Sequence, residues 1–100
     1  DKPVPEDLLR RVYEIAALGP TSMNTQPTRY VFLNSKEARE RLLPAMLPGN
    51  LDKTRSAPVT VIVATDTKFY EYMPKVWHRE GAKEYFEANA ALASATATRN

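Results

Sequence analysis

Gly19-Pro20-Thr21-Ser22-Met23-Asn24-Thr25-Gln26-Pro27-Thr28-Arg29 packs five small polar side chains between two prolines. A plain connector needs a turn, not a run of hydroxyls and amides. On a stiff loop such a run offers many hydrogen-bond donors and acceptors, which suits a polar, planar ligand. Reading outward from it decides the fold, because it separates a helical pattern from a strand pattern.

On its N-terminal side Leu8, Val12 and Ile15 recur at helical spacing, with Leu9 and Ala16 beside them. That is one apolar helix face. Pro5 suits its first turn, Glu6 and Asp7 complement the positive end of its dipole, and Gly19-Pro20 stops it. On the C-terminal side Arg29 to Leu33 is short, β-branched and aromatic, which predicts a strand. Ser35 is placed to cap a second helix with Glu37 in its first turn, Leu42 and Leu43 as its apolar contacts and Pro44 at its end. Pro48-Gly49-Asn50 is a turn signal.

The continuous apolar run from Ala57 to Thr65 predicts a strand buried on both faces. A helix in the connection between the two strands would allow a parallel pair, and their adjacency is left open. Asp66 or Thr67 caps a short helix carrying Phe69, Tyr70, Tyr72 and Met73, which Pro74 ends. Lys75 to Gly81 reads as a loop with Trp77 as a packing anchor and His78 as a surface residue. From Lys83 a long helix is expected, with an alanine-biased tail over residues 88–98 and no stop signal before Asn100.

With 100 residues the chain forms one domain at most. Its 43% apolar share is that of an ordinary globular protein. The net charge of +2 is a small surplus of 14 basic over 12 acidic residues, interspersed, so no basic stripe argues for nucleic acid. Without cysteine, thiolate nucleophiles, disulfides and Cys-type metal sites are excluded from this chain. No apolar run approaches a membrane span. Neither a Ser/His/Asp group, nor paired carboxylates, nor a Gly-rich phosphate loop stands out, so no catalytic residue and no metal ligand is assigned.

Helix, then Pro20-Thr21-Ser22-Met23-Asn24-Thr25-Gln26-Pro27, then strand resembles the opening of the nitroreductase family, whose usual pattern is Pro-Ser-Ser-x-Asn-x-Gln-Pro-Trp. Pro20, Ser22, Asn24, Gln26 and Pro27 match it; Thr21 stands for a Ser and Thr28 for the Trp. Asn50-Leu51-Asp52-Lys53, just before the second strand, is similar to the family's Asn-x-x-Lys element. Pro48-Gly49-Asn50-Leu51, Lys53-Thr54, Ala57-Pro58-Val59-Thr60 and Phe69-Tyr70-Glu71 resemble the family's malonic semialdehyde reductase branch, and Thr98-Arg99-Asn100 its entry into a central helix.

The resemblance implies an α+β, three-layer nitroreductase-like sandwich, of which residues 1–100 would be the N-terminal part of a single domain. It implies a cytoplasmic homodimer with FMN at the interface and NADH or NADPH as electron donor. Membrane and nucleic-acid partners are not implied. Pro20, Thr21, Ser22 and Asn24 of one subunit, and Asn50 and Lys53 of the other, would contact the flavin. Gln26 would brace the loop, and the phosphate-binding residues would lie outside this chain. The implied reaction is reduction of a small aldehyde, malonic semialdehyde to 3-hydroxypropionate. A broad nitro- or quinone reductase and a non-catalytic flavin-binding or assembly fragment are the alternatives.

Overall fold

Pro5 accepts the first helical bond, from Leu9 N–H at 3.3 Å, and starts α1, Glu6–Ala17. In a computed structural model residues 2–91 are described. Glu6 and Asp7 occupy the first turn as the dipole favours, and Arg10 reaches back to Glu6 at 2.6 Å. The rest of the described chain runs β1 (Thr28–Leu33), α2 (Lys36–Leu42), α3 (Leu51–Ser56), β2 (Thr60–Thr65), α4 (Met73–Val76) and α5 (Ala82–Ala88). Short 3₁₀ turns precede or follow several of them, at Ser22–Asn24, Leu43–Ala45, Pro48–Asn50 and Phe69–Tyr72.

The described residues divide into two units, 2–17 with 30–62 and 18–29 with 63–91. In the first, the Tyr13 ring of α1 meets Tyr30 of β1 edge-on at 5.9 Å between centroids. Ser35 caps α2 as expected: its Oγ accepts from Ala38 N–H at 3.1 Å. Arg55 of α3 donates to Glu40 of α2 at 3.2 Å, while Leu43 and Thr54 are buried. The Ser35→Ala variant is expected to lose about 1 kcal/mol of stability in chemical denaturation. An unchanged midpoint would show that the cap is not needed.

In the second unit Phe69, Met73 and Phe86 form a buried cluster, with Tyr70, Trp77 and Ala90 packed against it. Trp77 meets Phe86 edge-on at 5.8 Å, so it is the anchor its loop position suggested, and His78 is exposed. Gly81 enters α5 with φ 75°, a left-handed conformation that glycine adopts at little cost.

Three expectations are corrected. β1 and β2 do pair, but as an antiparallel ribbon. Asp66 N–H, past the end of β2, donates to Pro27 O, before the start of β1, at 2.7 Å. At the opposite end Arg39 Nη1 donates to Asn34 O at 3.1 Å and to Pro58 O at 3.0 Å, tying the exit of β1 to the approach to β2. The apolar run of β2 is not buried on both faces: Val61, Ile62 and Val63 are 41%, 36% and 60% exposed.

Pro74 does not end a helix but sits in the first turn of α4, where its missing N–H costs no bond. The helix expected from Lys83 is present as α5; a turn at Asn89, whose Nδ2 donates to Tyr85 O at 2.7 Å, interrupts it, and Ala90 and Ala91 are again helical. The alanine-biased tail and Thr98-Arg99-Asn100 lie outside the described residues from 92 onward.

Candidate functional site

The sequence-predicted site residues form two clusters, one in each unit. In the second unit Pro20 is exposed ahead of the 3₁₀ turn that Ser22 opens. Three non-glycine residues follow with left-handed φ: Met23 at 51°, Asn24 at 56° and Gln26 at 43°. Only Asn24 has a side chain that favours this region; for the others it costs energy that surrounding contacts must offset.

Those contacts are specific. Thr21 O accepts from Asn24 N–H at 3.1 Å, and Thr21 Oγ1 accepts from Gln26 N–H at 3.1 Å. Gln26 O accepts from Arg29 Nη1 at 2.9 Å, and the same guanidinium pairs with Asp66 at 2.8 Å. Arg29 thus forms an ion pair at the strand edge and also locks the loop. Thr25 is 7% exposed and Pro27 is fully buried, whereas Asn24 and Gln26 are exposed. Turning Thr25 and Pro27 inward turns the two amides outward. Gln26 Nε2 then donates to Asn24 Oδ1 at 2.6 Å, which bears out Gln26 as a brace. Thr25 Oγ1 is buried with no hydrogen-bond partner among the described residues.

In the first unit Asn50 closes the 3₁₀ turn Pro48–Asn50 and occupies the N-cap of α3, where its side chain makes no capping bond. Lys53 follows one helical turn later, so the structure brings Asn50 and Lys53 onto adjoining positions. Lys53 is exposed and forms no ion pair among the described residues. The carboxylate next to it in sequence, Asp52, faces Arg55 Nη1 at 3.5 Å. An amide and an ammonium without side-chain partners among the described residues are therefore presented together.

Each cluster is rich in free donors: the Thr21 hydroxyl proton and the Asn24 Nδ2 in one, the Asn50 amide and the Lys53 ammonium in the other. That donor set fits the acceptor edge of a heterocycle such as a flavin ring. Among the described residues no group of three His, Cys, Asp or Glu side chains is placed to hold a metal, and no helix is long and apolar enough to cross a membrane. The left-handed backbone at Met23 and Gln26 was not foreseen, since neither residue type signals it.

The nitroreductase family profile matches residues 1–98, and the chain belongs to that family. It is 48% identical over its whole length to a protein of Burkholderia lata, covering 51% of that protein. It is 46% identical over 98% of its length to one of Cupriavidus pinatubonensis, covering 52% of it. Both are provisionally named NADH dehydrogenase/NAD(P)H nitroreductase. The chain thus spans about half the length of the curated relatives it matches. Among solved structures it superposes on a nitroreductase family protein of Streptococcus pneumoniae with a TM-score of 0.71 at 25% identity, over 99% of this chain and 60% of that one. A provisional nitroreductase of Exiguobacterium sibiricum, described in complex with FMN, shares the fold with a TM-score of 0.69 at 19% identity, over 99% of this chain and 46% of that one. The mixed helix and strand architecture is therefore that of the nitroreductase fold.

Proposed function

We propose that the protein is an FMN-dependent NAD(P)H oxidoreductase acting on a small electrophile. The observation that carries the reading is the pair of donors at Asn50 and Lys53, unpartnered among the described residues, in a chain of this family whose other polar loop exposes Asn24 beside the half-buried Thr21. The names of its relatives support the nicotinamide donor, and the FMN complex of a protein of the same fold supports the cofactor. FMN, when bound, supplies the hydride chemistry.

The chain's own residues bind, orient and tune. Thr21 and Asn24 donate to acceptor atoms on the ligand edge. Pro20 and Ser22, the remaining members of the matched motif, contact the same ring. Lys53 and Asn50 hold the pyrimidine edge, where Lys53 provides positive charge to balance the negative charge that reduction leaves there. No protein nucleophile is required. The protein acts as a cytoplasmic homodimer in which the polar loop of one protomer and the Asn50–Lys53 turn of its partner serve one flavin.

For the substrate we propose malonic semialdehyde, reduced to 3-hydroxypropionate. Support comes from the Pro48-Gly49-Asn50-Leu51, Lys53-Thr54 and Ala57-Pro58-Val59-Thr60 segments that resemble the semialdehyde-reducing branch. The nitroreductase names of the relatives favour a second reading, a nitro- or quinone reductase.

The purified protein is expected to be yellow, with flavin absorbance that leaves with the filtrate after denaturation. NADH or NADPH oxidation is then followed with malonic semialdehyde and with a nitroarene in parallel. Brisk nitroarene turnover with none of the aldehyde rejects the semialdehyde. A folded, colourless protein that takes up no added FMN rejects the flavin reading and leaves a binding or assembly module.

A further inference from the structure

We propose that Gln26 is a positioning residue that decides which end of the Asn24 amide faces the ligand. The inference rests on the flavin reading above for its functional consequence, and on this chain's own geometry for the mechanism.

A primary amide carries two donors at one end and an acceptor at the other, and unrestrained it presents either. In Asn24 the acceptor end is occupied: Oδ1 receives Gln26 Nε2 at 2.6 Å. Its Nδ2 makes no bond among the described residues, so the group left outward is an N–H₂ donor.

Gln26 is itself held from two sides. Its backbone N–H donates to Thr21 Oγ1 at 3.1 Å, and its carbonyl accepts from Arg29 Nη1 at 2.9 Å. Arg29 in turn is fixed by Asp66 at 2.8 Å. With Thr25 buried between them, the exposed Asn24 and Gln26 emerge on one side of the loop. The left-handed φ of 56° suits Asn24, whereas the 43° of Gln26 is an unfavourable backbone that this bond helps hold.

Thr21 follows the same logic. Because its Oγ1 accepts from Gln26, its hydroxyl proton is free to point elsewhere. Gln26 thereby sets the Asn24 amide as a donor through its side chain and, through its backbone, takes up one of the two acceptor positions of the Thr21 hydroxyl. The loop is tuned for an acceptor edge, such as ring carbonyls and an unprotonated ring nitrogen, and against a donor edge.

The test uses the flavin-depleted protein, titrated with FMN and read by flavin fluorescence. Gln26→Ala releases the amide and is expected to weaken FMN binding about three- to tenfold. Gln26→Glu is expected to weaken it further, since a carboxylate only accepts and draws Nδ2 inward, leaving Oδ1 outward. In an Asn24→Ala background both substitutions are expected to lose most of their effect, because the group they orient is gone. A loop-stability role alone would leave their effects undiminished in that background. FMN affinity unchanged in Gln26→Glu, or additive losses in the double variants, would overturn the proposal.

A flavin-free readout separates this from the functional reading. In the unliganded protein the Gln26 side-chain amide protons are expected to exchange slowly by NMR, and to exchange fast in Asn24→Ala. Fast exchange in the unmutated protein sinks the orientation mechanism, whatever FMN does. Slow exchange with no FMN binding at all leaves the mechanism standing and sinks the flavin reading alone.

Discussion

Replacing Phe86 by Ala is expected to remove about 3–5 kcal/mol of stability. Phe86 is 3% exposed and lies at the centre of the only buried cluster of hydrophobic side chains among the described residues. Its ring meets Phe69 at 6.4 Å, Trp77 at 5.8 Å and Tyr85 at 5.3 Å, each edge-on. Truncation loses the transfer energy of the ring and leaves a cavity that three other aromatic side chains, stiff by nature, fill poorly. Against a typical total of about 5–15 kcal/mol, the loss is a large fraction. Equilibrium denaturation followed by far-UV circular dichroism measures it. The loss should be smaller for Phe86→Leu, which keeps most of the volume. A cost below about 1 kcal/mol for Phe86→Ala would mean that the cluster is not the core of its unit.

Lys53→Ala is expected to weaken FMN binding about tenfold or more, the scale of a hydrogen bond from a charged donor, and to lower the flavin's potential. The sign follows from charge. Reduction adds negative charge to the ligand, so a nearby ammonium favours the reduced form more than the oxidised one. Lys53 has no carboxylate among the described residues to neutralise it, since Asp52 faces Arg55. Lys53→Arg keeps the charge and should restore part of the potential. Lys53→Ala with unchanged affinity and unchanged potential would return Lys53 to an ordinary surface lysine. Asp52→Ala serves as a contrast on the same short helix, because it removes a neighbouring charge without touching the proposed donor pair.

Much of the local structure was legible in the residues. Ser35 with Glu37 predicted a capped helix, and Ser35 Oγ caps Ala38 N–H. Leu8, Val12 and Ile15 predicted α1, and the β-branched runs predicted both strands. These signals are local: a cap, a helical period and a turn residue act within a few positions of themselves.

The failures were of another kind. A proline is compatible with either the end of one helix or the first turn of the next, so Pro74 could not be placed without α4. An apolar run has the same letters whether both faces are covered or not, so β2 was misjudged. The turn at Asn89, between Ala88 and the helical Ala90, goes with a side-chain bond to Tyr85 O that no residue type announces.

The candidate site divides in the same way. Asn50 and Lys53 were legible as a spaced pair, and the polar loop as a bracketed motif. Which atoms of that loop remain free was not legible. It depends on Gln26 bonding Asn24, on Arg29 reaching Asp66, and on left-handed backbone at Met23 and Gln26.

By itself, then, the order of residues determined α1, α2, the start of α5, the two strands, the family and the two polar clusters. Each of these is encoded by neighbours along the chain or by a short motif. Tertiary structure alone decided that the two strands run antiparallel and that Asn24 turns its N–H₂ outward. The first depends on groups far apart in sequence, Pro27 with Asp66 and Arg39 with Pro58, and the second on Gln26, whose carbonyl is held by the Arg29 that pairs with Asp66; in both, hydrogen-bond geometry selects one arrangement from several the sequence permits.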